Sequence, residues 1–329
     1  MLKHGGGIRE AARLYGVDPQ HWLDLSTGIN SVGWTPPSSI PPGVWRRLPE
    51  SGDGLEQAAL EYYKCSNILP ASGSQAIIQV LPRLRKRGKV AVLSPGYAEH
   101  HLAWEKNGHT VLLSPSQDIE SMVYNPDVGV VVIINPNNPT GETVSSEKLL
   151  VWQTVLADRG AWLVVDEAFM DSTPDKSIFH VAKNMDGLIV LRSLGKFFGL
   201  AGVRVGFVSA SSDILERISE ELGPWNVNGP ARFVASLALL DRKWQENTRL
   251  RLLEDALRLK DLLTKAGFTP NGGTPLFQWF VSSNAPDFYK HMAHNSILVR
   301  LFDQPKSIRV GLPPDEVSWT RLEKVLSNL

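Results

Sequence analysis

The sequence contains almost no cysteine: Cys65 is the only one among 329 residues. One thiol cannot form an internal disulfide and cannot supply a cysteine-rich metal site. The sequence therefore excludes a disulfide framework, and no metal site is predicted. We interpret Cys65 as a structural residue of a protein that works in a reducing compartment, the cytoplasm.

Long apolar runs and an excess of one charge are also missing. No segment approaches the roughly 18 apolar residues that a membrane-spanning helix needs, and residues 1–7 lack the apolar core of a signal peptide. Acidic and basic residues number 34 each, which gives no general attraction to nucleic acid or to an acidic membrane surface. We therefore expect a soluble, unexported protein that acts on small molecules, with no nucleic-acid or membrane partner.

The middle of the chain alternates short apolar runs with helical patterns, which is typical of an α/β fold. Helical patterns at 75–84 and 147–157 place apolar residues at helical spacing between the apolar runs. Crossovers of this kind imply mostly parallel strands. The predicted strands are residues 89–94, 111–113, 129–134, 162–166, 188–191 and 205–209.

The length of the chain favours one large domain and one smaller domain. We predict a large α/β domain at 46–238 and a smaller α+β domain formed by 1–45 and 239–329. The first 45 residues are too irregular to join the main sheet. In the last part of the chain we predict a long amphipathic helix at 240–266, strands at 277–281, 297–301 and 307–310, and a final helix from residue 314.

Lys196 lies directly beyond the predicted strand at 188–191, and open α/β sheets bind their ligands at this end of their strands. A partly desolvated lysine can attack an aldehyde and form a Schiff base. Ser193 and Arg204 can bind a phosphate, the arginine through a bidentate charge-assisted pair. The apolar surroundings are supplied by Phe197, Phe198 and Leu200. The segment indicates a site for pyridoxal phosphate (PLP), although a surface loop with an ordinary lysine and arginine is the alternative.

A second candidate phosphate site is Gly73-Ser74-Gln75, where a loop leads into a predicted helix. Backbone N–H groups at a helix N-terminus, together with a serine hydroxyl, bind a phosphate dianion. Taken alone, a serine at a helix start is more often only an N-cap. Tyr97 follows another predicted strand, and its ring can stack on a flat heteroaromatic cofactor, with an ordinary loop tyrosine as the alternative.

Two more polar residues follow predicted strands. Asn138 lies in the turn 135–141, where two prolines and a final glycine fix the backbone, and its amide can donate to a phenolate oxygen. Asp166 ends the strand at 162–166, where a carboxylate can pair with a protonated pyridine nitrogen and keep the ring an electron sink. Without its neighbours, Asp166 reads equally well as a helix cap or turn former.

The order and spacing of these segments resemble fold-type I PLP-dependent enzymes of the class I and II aminotransferase superfamily. The likeness covers nearly the whole chain, and its most specific parts are residues 138–141 and 193–204. It implies an aspartate aminotransferase-like fold, PLP as the cofactor, and a homodimer with sites near the subunit interface. It also implies phosphate binding by Gly73, Ser74, Gln75, Ser193 and Arg204, ring stacking by Tyr97, contact with the phenolic oxygen by Asn138 and with the pyridine nitrogen by Asp166, and Schiff-base formation and proton transfer by Lys196.

Within that superfamily, residues 4–12 and 23–30 resemble a branch that decarboxylates a phosphorylated hydroxyamino acid in cobalamin biosynthesis. Histidinol-phosphate aminotransferases are the nearest other match. Two arginines near the end of the chain, Arg300 and Arg309, are enough to bind a substrate that carries both a carboxylate and a phosphate. The predicted substrate-binding residues are His4, Gly28, Asn30, Asn138, Arg300 and Arg309.

The arginines leave two reactions open. If Arg309 binds the α-carboxylate in the ring plane, the Cα–H bond faces Lys196 and transamination follows. If both arginines and His4 bind the phosphate while the Asn30 region binds the carboxylate, carbon dioxide can leave. We favour decarboxylation. A PLP-binding partner protein without turnover is the alternative from another class, and an intact Lys196, Asp166 and Arg204 argue against it.

Two positions depart from the pattern of the superfamily. Phe169 stands where many of its aminotransferases have a tyrosine that donates to the phenolic oxygen, so Asn138 would act there alone. Leu48 stands where related enzymes often carry a tyrosine that reaches the cofactor phosphate of the neighbouring subunit. The first departure favours a specialised branch, and the second puts that contact between subunits in doubt.

Overall fold

The computed structural model describes residues 4–329, so the first three residues of the N-terminal stretch considered above lie outside the described residues. The strands are β1 (Leu23–Asp24), β2 (Leu69–Ala71), β3 (Lys89–Leu93), β4 (Thr110–Ser114), β5 (Val128–Ile134), β6 (Trp162–Asp166), β7 (Leu188–Ser193), β8 (Gly206–Ser209), β9 (Gly272–Thr274), β10 (Phe277–Val281), β11 (Ile297–Leu298), β12 (Arg300–Asp303) and β13 (Lys306–Gly311).

The helices alternate with these strands in the first two thirds of the chain. They are α1 (Ile8–Tyr15), α2 (Pro42–Arg46), α3 (Leu55–Tyr63), α4 (Ser74–Val80), α5 (Glu99–Lys106), α6 (Ile119–Tyr124), α7 (Ser146–Ala157), α8 (Ser212–Leu222), α9 (Gly229–Leu240), α10 (Arg242–Lys265), α11 (Ala285–His294) and α12 (Glu316–Leu326). Within residues 4–329 no helix has both the length and the apolar character that crossing a membrane requires.

The chain forms two compact units, and the larger comprises Trp34–Asn138 and Thr143–Gln245. The smaller contains residues 4–33, Pro139–Glu142 and Glu246–Leu329. The sequence predicts boundaries after residues 45 and 238, whereas the structure places them after 33 and 245. The difference arises because residues 34–45 pack within the larger unit: the Trp34 N–H donates to the Phe198 carbonyl over 2.8 Å, and α2 packs against α9.

The larger unit is built on a seven-stranded sheet of order β2-β8-β7-β6-β5-β3-β4. The strands from β4 to β7 are parallel, while β8 and β2 are antiparallel to their neighbours, so the predicted mostly parallel sheet is confirmed. The short strand β2 was not predicted. It contains Pro70, which lacks the N–H group of a central strand and is tolerated here because β2 lies at the sheet edge.

The core of the larger unit lies where helices cover the central strands. Every residue of β6 is buried, as expected for a parallel strand with helices on both faces of the sheet. Val132, Val164 and Leu191 from three adjacent strands are fully buried together. Each central strand is therefore held along its length, and polar side chains emerge only where the strands end.

The smaller unit has two sheets. β1 pairs in parallel with β11, and β12-β13-β10-β9 form an antiparallel sheet, so the first 45 residues do not join the main sheet, as predicted. The predicted strand at 297–301 is two strands, because β11 pairs with β1 whereas β12 pairs with β13. The chain passes from one sheet to the other at Val299.

The predicted helix at 240–266 begins later than expected. Leu240 ends α9, and α10 starts at Arg242 after a break at Asp241. The Asp241 carboxylate accepts a hydrogen bond from the Trp244 N–H over 3.1 Å, which is the contact of a helix N-cap. An aspartate inside an apolar pattern therefore separates two helices here.

Candidate active site

The larger unit contains a cavity of about 130 Å³ at the carboxyl ends of its parallel strands. Eight of the nine residues predicted to bind a cofactor line it, and the ninth, Gly73, lies against the Arg204 side chain. β5, β6 and β7 end side by side, which brings together residues far apart in sequence. The lining residues are Ser74, Gln75, Tyr97, Ile134, Asn138, Asp166, Ala168, Phe169, Ser193, Gly195, Lys196, Ala201 and Arg204.

One end of the cavity is a cradle of the kind that binds a phosphate. Ser74 begins α4, so backbone N–H groups at the helix start lie beside its hydroxyl. A Cβ at Gly73 would lie 2.8 Å from Arg204 Nη2, and a Cβ at Gly206 would lie 2.4 Å from the Ser74 nitrogen. Ser193 also lines this cavity, and its Oγ accepts from the Gly195 N–H over 3.2 Å. The two glycines thus let backbone, hydroxyl and guanidinium groups come close together.

The cavity also holds a buried carboxylate, Asp166, which is 3% exposed. Its Oδ2 lies 2.9 Å from His100 Nε2, and its Oδ1 accepts from the Ala168 N–H over 3.0 Å. These two contacts fix the carboxylate plane and leave its remaining lone pairs for a partner in the cavity. No sequence motif marks His100, although it lies three residues after Tyr97 and so about one helical turn along α5.

Tyr97 is oriented by a chain of hydrogen bonds. Its hydroxyl donates to Gln75 Oε1 over 3.2 Å, and Gln75 Nε2 donates to Glu99 Oε2 over 2.9 Å. Burial, followed by the negative charges of Glu99 and Asp166, raises the pKa of Tyr97 to about 12, so the hydroxyl keeps its proton. The Gln75 side chain thus binds Tyr97 and Glu99, which leaves its backbone N–H as the group available for a phosphate.

Lys196 lies in a tight loop between β7 and β8. Its Nζ is 5.1 Å from the centre of the Phe169 ring, and the two residues that follow, Phe197 and Phe198, are completely buried. The amine therefore has an aromatic face on one side instead of a hydroxyl group. The sequence predicts this lysine as the amine that attacks a carbonyl, and the structure places it in the cavity with the other residues predicted to bind the cofactor.

Behind the sheet, a buried ion-pair cluster joins the ends of β6 and β7. Arg192 Nε lies 3.1 Å from Glu167 Oε2, and Arg192 Nη1 lies 2.9 Å from Asp171 Oδ1, with all three residues at most 2% exposed. Successive side chains of a strand point to opposite faces. Arg192 therefore points away from the cavity that its neighbour Ser193 lines.

The predicted substrate-binding residues lie in both units: Asn138 belongs to the larger and the others to the smaller. Arg300 and Arg309 are directly opposite each other on β12 and β13. Arg309 is 4% exposed and its guanidinium donates to the Ser26 carbonyl. Burial, with repulsion from Arg300, lowers the pKa of Arg309 to about 9. Like charges opposite each other in a sheet are destabilising, and an anion would relieve that repulsion.

The N-terminal glycines lie next to Ser26, the residue that accepts from Arg309. The Gly6 N–H donates to Ser26 Oγ over 2.8 Å, and a Cβ at Gly5 would lie 2.4 Å from the Ser26 carbonyl oxygen. The structure thus brings the segment of the exposed His4 near the residue that Arg309 contacts.

Asn30 is held by an arginine that no sequence motif marks. It is 2% exposed, and its Oδ1 accepts from Arg251 Nη2 over 2.8 Å and from the Val32 N–H over 3.2 Å. Arg251 and Val32 thus both bind the amide oxygen of Asn30, while the donors of this side chain are on its amide nitrogen. Gly28, nearby in sequence, is buried and has a φ of 62°, a conformation that favours glycine.

The cavity combines an anion cradle, a buried carboxylate, a tyrosine ring and a lysine, and this combination fits a phosphorylated heteroaromatic aldehyde such as PLP. The arrangement is that of a PLP site in a fold-type I enzyme. The chain belongs to the aminotransferase class I and II family, whose model matches residues 49–322.

Within this family the chain is similar to particular enzymes. The chain is 50% identical to a threonine-phosphate decarboxylase of Pseudomonas aeruginosa, over 99% of this chain and 97% of that protein. It is 39% identical to a threonine-phosphate decarboxylase of a Sinorhizobium species, over 100% and 98% of the two chains. Among solved structures, the histidinol-phosphate aminotransferase of Clostridium acetobutylicum superposes with a TM-score of 0.84 at 26% identity, covering 93% of this chain and all of that one.

Gly206 provides a direct test of the phosphate cradle. In Gly206→Ala the new Cβ would collide with the Ser74 nitrogen at 2.4 Å and with the Arg192 carbonyl at 2.8 Å, so α4 must shift away from the cradle. Because hydrogen bonds to a charged group contribute about 1.5–3 kcal/mol, we expect PLP affinity to fall roughly 10-fold or more. The measurement is a titration of the apoprotein with PLP, followed by visible absorption.

Gly202→Ala is the matched control for that titration. Gly202 lies four residues before Gly206, in the turn that precedes β8, but a Cβ there meets no atom within 4 Å. This variant should bind PLP like the unmodified protein. Equal PLP affinity in Gly206→Ala and Gly202→Ala would contradict the cradle.

Proposed function

We propose that the chain is a PLP-dependent lyase that decarboxylates L-threonine O-3-phosphate to (R)-1-aminopropan-2-yl phosphate in cobalamin biosynthesis. The observation that carries the proposal is the likeness over nearly the whole chain to threonine-phosphate decarboxylases, in a chain that has Lys196, Asp166 and Arg204 of the PLP pattern. The opposed arginines of β12 and β13 supply the positive charge that a phosphorylated amino acid requires.

The larger unit binds PLP, which when bound supplies an electron sink for the electron pair released at the substrate α-carbon. The cradle of Gly73, Ser74, Ser193 and Arg204 binds the cofactor phosphate. Asp166, fixed by His100, holds a proton at the pyridine nitrogen.

Three other residues of the cavity act around the ring and the reacting carbon. Tyr97 would cover one face of the bound ring, and Asn138 would donate to its phenolic oxygen. Lys196 would hold the cofactor through its aldehyde and would supply the proton that the substrate α-carbon receives. Phe169 has no hydroxyl, so Asn138 is the predicted donor to the phenolic oxygen without a tyrosine beside it.

Whether the substrate is decarboxylated or transaminated would depend on which bond of its α-carbon is perpendicular to the ring of the bound cofactor. Only the perpendicular bond can overlap the π system of that ring as it breaks. Arg300, Arg309 and His4 bind the side-chain phosphate, while the Asn30 amide and the buried turn at Gly28 bind the carboxylate. The carboxylate is then free to leave as carbon dioxide, and the vacated position receives a proton. A carboxylate bound by Arg309 would instead expose the Cα–H bond and favour transamination.

The functional form that we propose is a cytoplasmic homodimer. Three large apolar side chains of the larger unit are strongly exposed in the single chain: Trp45 at 64%, Leu48 at 62% and Trp225 at 58%. Exposed apolar surface of this kind is typical of an interface. Leu48 can contribute only apolar contact there, so the tyrosine contact that related enzymes make from this position to the cofactor phosphate of the neighbouring subunit is in doubt. The single cysteine supports the cytoplasmic assignment.

Decarboxylation is tested by giving the PLP-loaded protein L-threonine O-3-phosphate without a keto acid and measuring carbon dioxide together with the visible spectrum of the cofactor. We expect many turnovers of carbon dioxide release, with the starting spectrum restored at the end. One equivalent of the amine form of the cofactor without carbon dioxide would establish an aminotransferase. An unchanged spectrum with threonine phosphate and serine phosphate would favour a PLP-binding protein without turnover.

The substrate group that Arg309 binds can be identified with two ligands that each lack one group. The product carries the phosphate without the carboxylate, and L-threonine carries the carboxylate without the phosphate. Arg309→Gln should weaken binding of the product roughly 10- to 100-fold, because a charge-assisted contact is lost, and leave L-threonine binding unchanged. Dissociation constants are measured from the cofactor spectrum.

The control is Arg258→Gln, which removes a half-buried arginine of the same unit that pairs with Glu316. Both ligands should bind this variant normally. If Arg309→Gln weakens L-threonine and spares the product, Arg309 binds the carboxylate and the phosphate assignment is wrong.

A further inference from the structure

The loop that carries Lys196 is held from outside by two tryptophans. The Trp34 N–H donates to the Phe198 carbonyl over 2.8 Å. The Trp244 ring stacks on the Phe198 ring with centres 5.6 Å apart and planes at 18°, and it meets the Phe197 ring edge-on at 5.4 Å. Both tryptophans therefore contact the residues that directly follow the lysine.

One carboxylate joins the two tryptophans. Asp241 Oδ2 accepts from the Trp34 indole N–H over 3.0 Å, and Asp241 Oδ1 accepts from the Trp244 backbone N–H over 3.1 Å. The second contact is the N-cap of α10, and a helix cap requires only one carboxylate oxygen. The contact with the Trp34 indole is therefore additional to capping. Through Trp34 it connects the cap residue to Phe198.

The loop itself leaves little freedom. The Gly199 N–H donates to the Lys196 carbonyl over 3.1 Å, and the Leu200 N–H donates to the Leu194 carbonyl over 3.2 Å. Phe197 and Phe198 are completely buried, and close-packed interiors transmit displacement instead of absorbing it. Lys196 is only two positions before Phe198 in the chain, so a shift of Phe198 must also move Lys196.

We propose that Asp241 is a positioning residue for Lys196 and acts through Trp34 and Trp244. The carboxylate fixes both tryptophans against Phe197 and Phe198, and these hold the amine at its place beside Phe169 in the cavity. The inference rests on the proposed function in one respect, that Lys196 is the amine that binds the cofactor aldehyde.

Two variants loosen this contact in different ways. Trp34→Phe keeps an aromatic ring and the backbone N–H but removes the indole donor to Asp241. Asp241→Asn keeps one acceptor oxygen, which can serve either the Trp34 indole N–H or the Trp244 backbone N–H. It presents an N–H₂ group, which cannot accept, to the other of these two donors. Since misplacement of a reacting group by about 1 Å can slow a reaction on the order of 100-fold, we expect each variant to slow covalent capture of PLP by the full-length apoprotein at least roughly 10-fold.

The rate of capture is followed by the visible absorption of the bound cofactor, well below the melting temperature of each variant. Because both substitutions break the same link, the double variant should be no slower than the slower single variant. Asp315→Asn is the matched control: Asp315 caps α12 through the Ser318 N–H at 2.8 Å and belongs to the smaller unit. It should lower the melting temperature and leave capture unchanged.

Capture at the normal rate in both Asp241→Asn and Trp34→Phe would overturn the inference and leave Asp241 as a helix cap. Additive slowing in the double variant would also overturn it, since the two residues would then act separately. If the unmodified apoprotein fails to capture PLP at Lys196, the proposed function fails first, and this inference fails with it.

Discussion

The buried ion pairs of Arg192 are the interaction on which the candidate site depends most. They join the end of β7 to Glu167 and Asp171, which follow β6, on the face of the sheet away from the cavity. Removing one partner from a buried pair of this kind leaves an uncompensated charge and costs about 3–5 kcal/mol. Because side chains alternate along a strand, fixing Arg192 and Glu167 behind the sheet also fixes the neighbouring Ser193 and Asp166 in front of it.

The larger unit divides its tasks between the two faces of its sheet. The rear face holds the strands in place, and the front face presents groups that are each oriented by one further residue: His100 orients Asp166, and Gln75 orients Tyr97. Lys196 is the residue that we propose reacts covalently, and its loop is packed from outside by the partly buried ring of Trp244. The smaller unit differs in its charge, since two arginines lie directly opposite each other there and the charge of Arg300 adds to burial in lowering the pKa of Arg309.

Local patterns predicted the central strands and the polar residues at their ends, because apolar runs, turn residues and the lysine segment each lie within a few consecutive positions. The supporting residues could not be predicted in this way. Asn30 and Arg251 are 221 residues apart, and Trp34 and Asp241 are 207 apart, so only tertiary packing brings them together. The break between α9 and α10 was missed for a different reason: Asp241 caps α10 through the Trp244 N–H only three residues on, a local signal that the amphipathic pattern at 240–266 obscured.

The most direct test of the account is the identity of the residue that binds the cofactor. The PLP-loaded protein is reduced with borohydride, digested, and analysed by mass spectrometry for the peptide that carries the pyridoxyl group. The account predicts one modified residue, Lys196, with stoichiometric labelling that is lost in Lys196→Ala. A label on another lysine, or labelling that persists in Lys196→Ala, would contradict it.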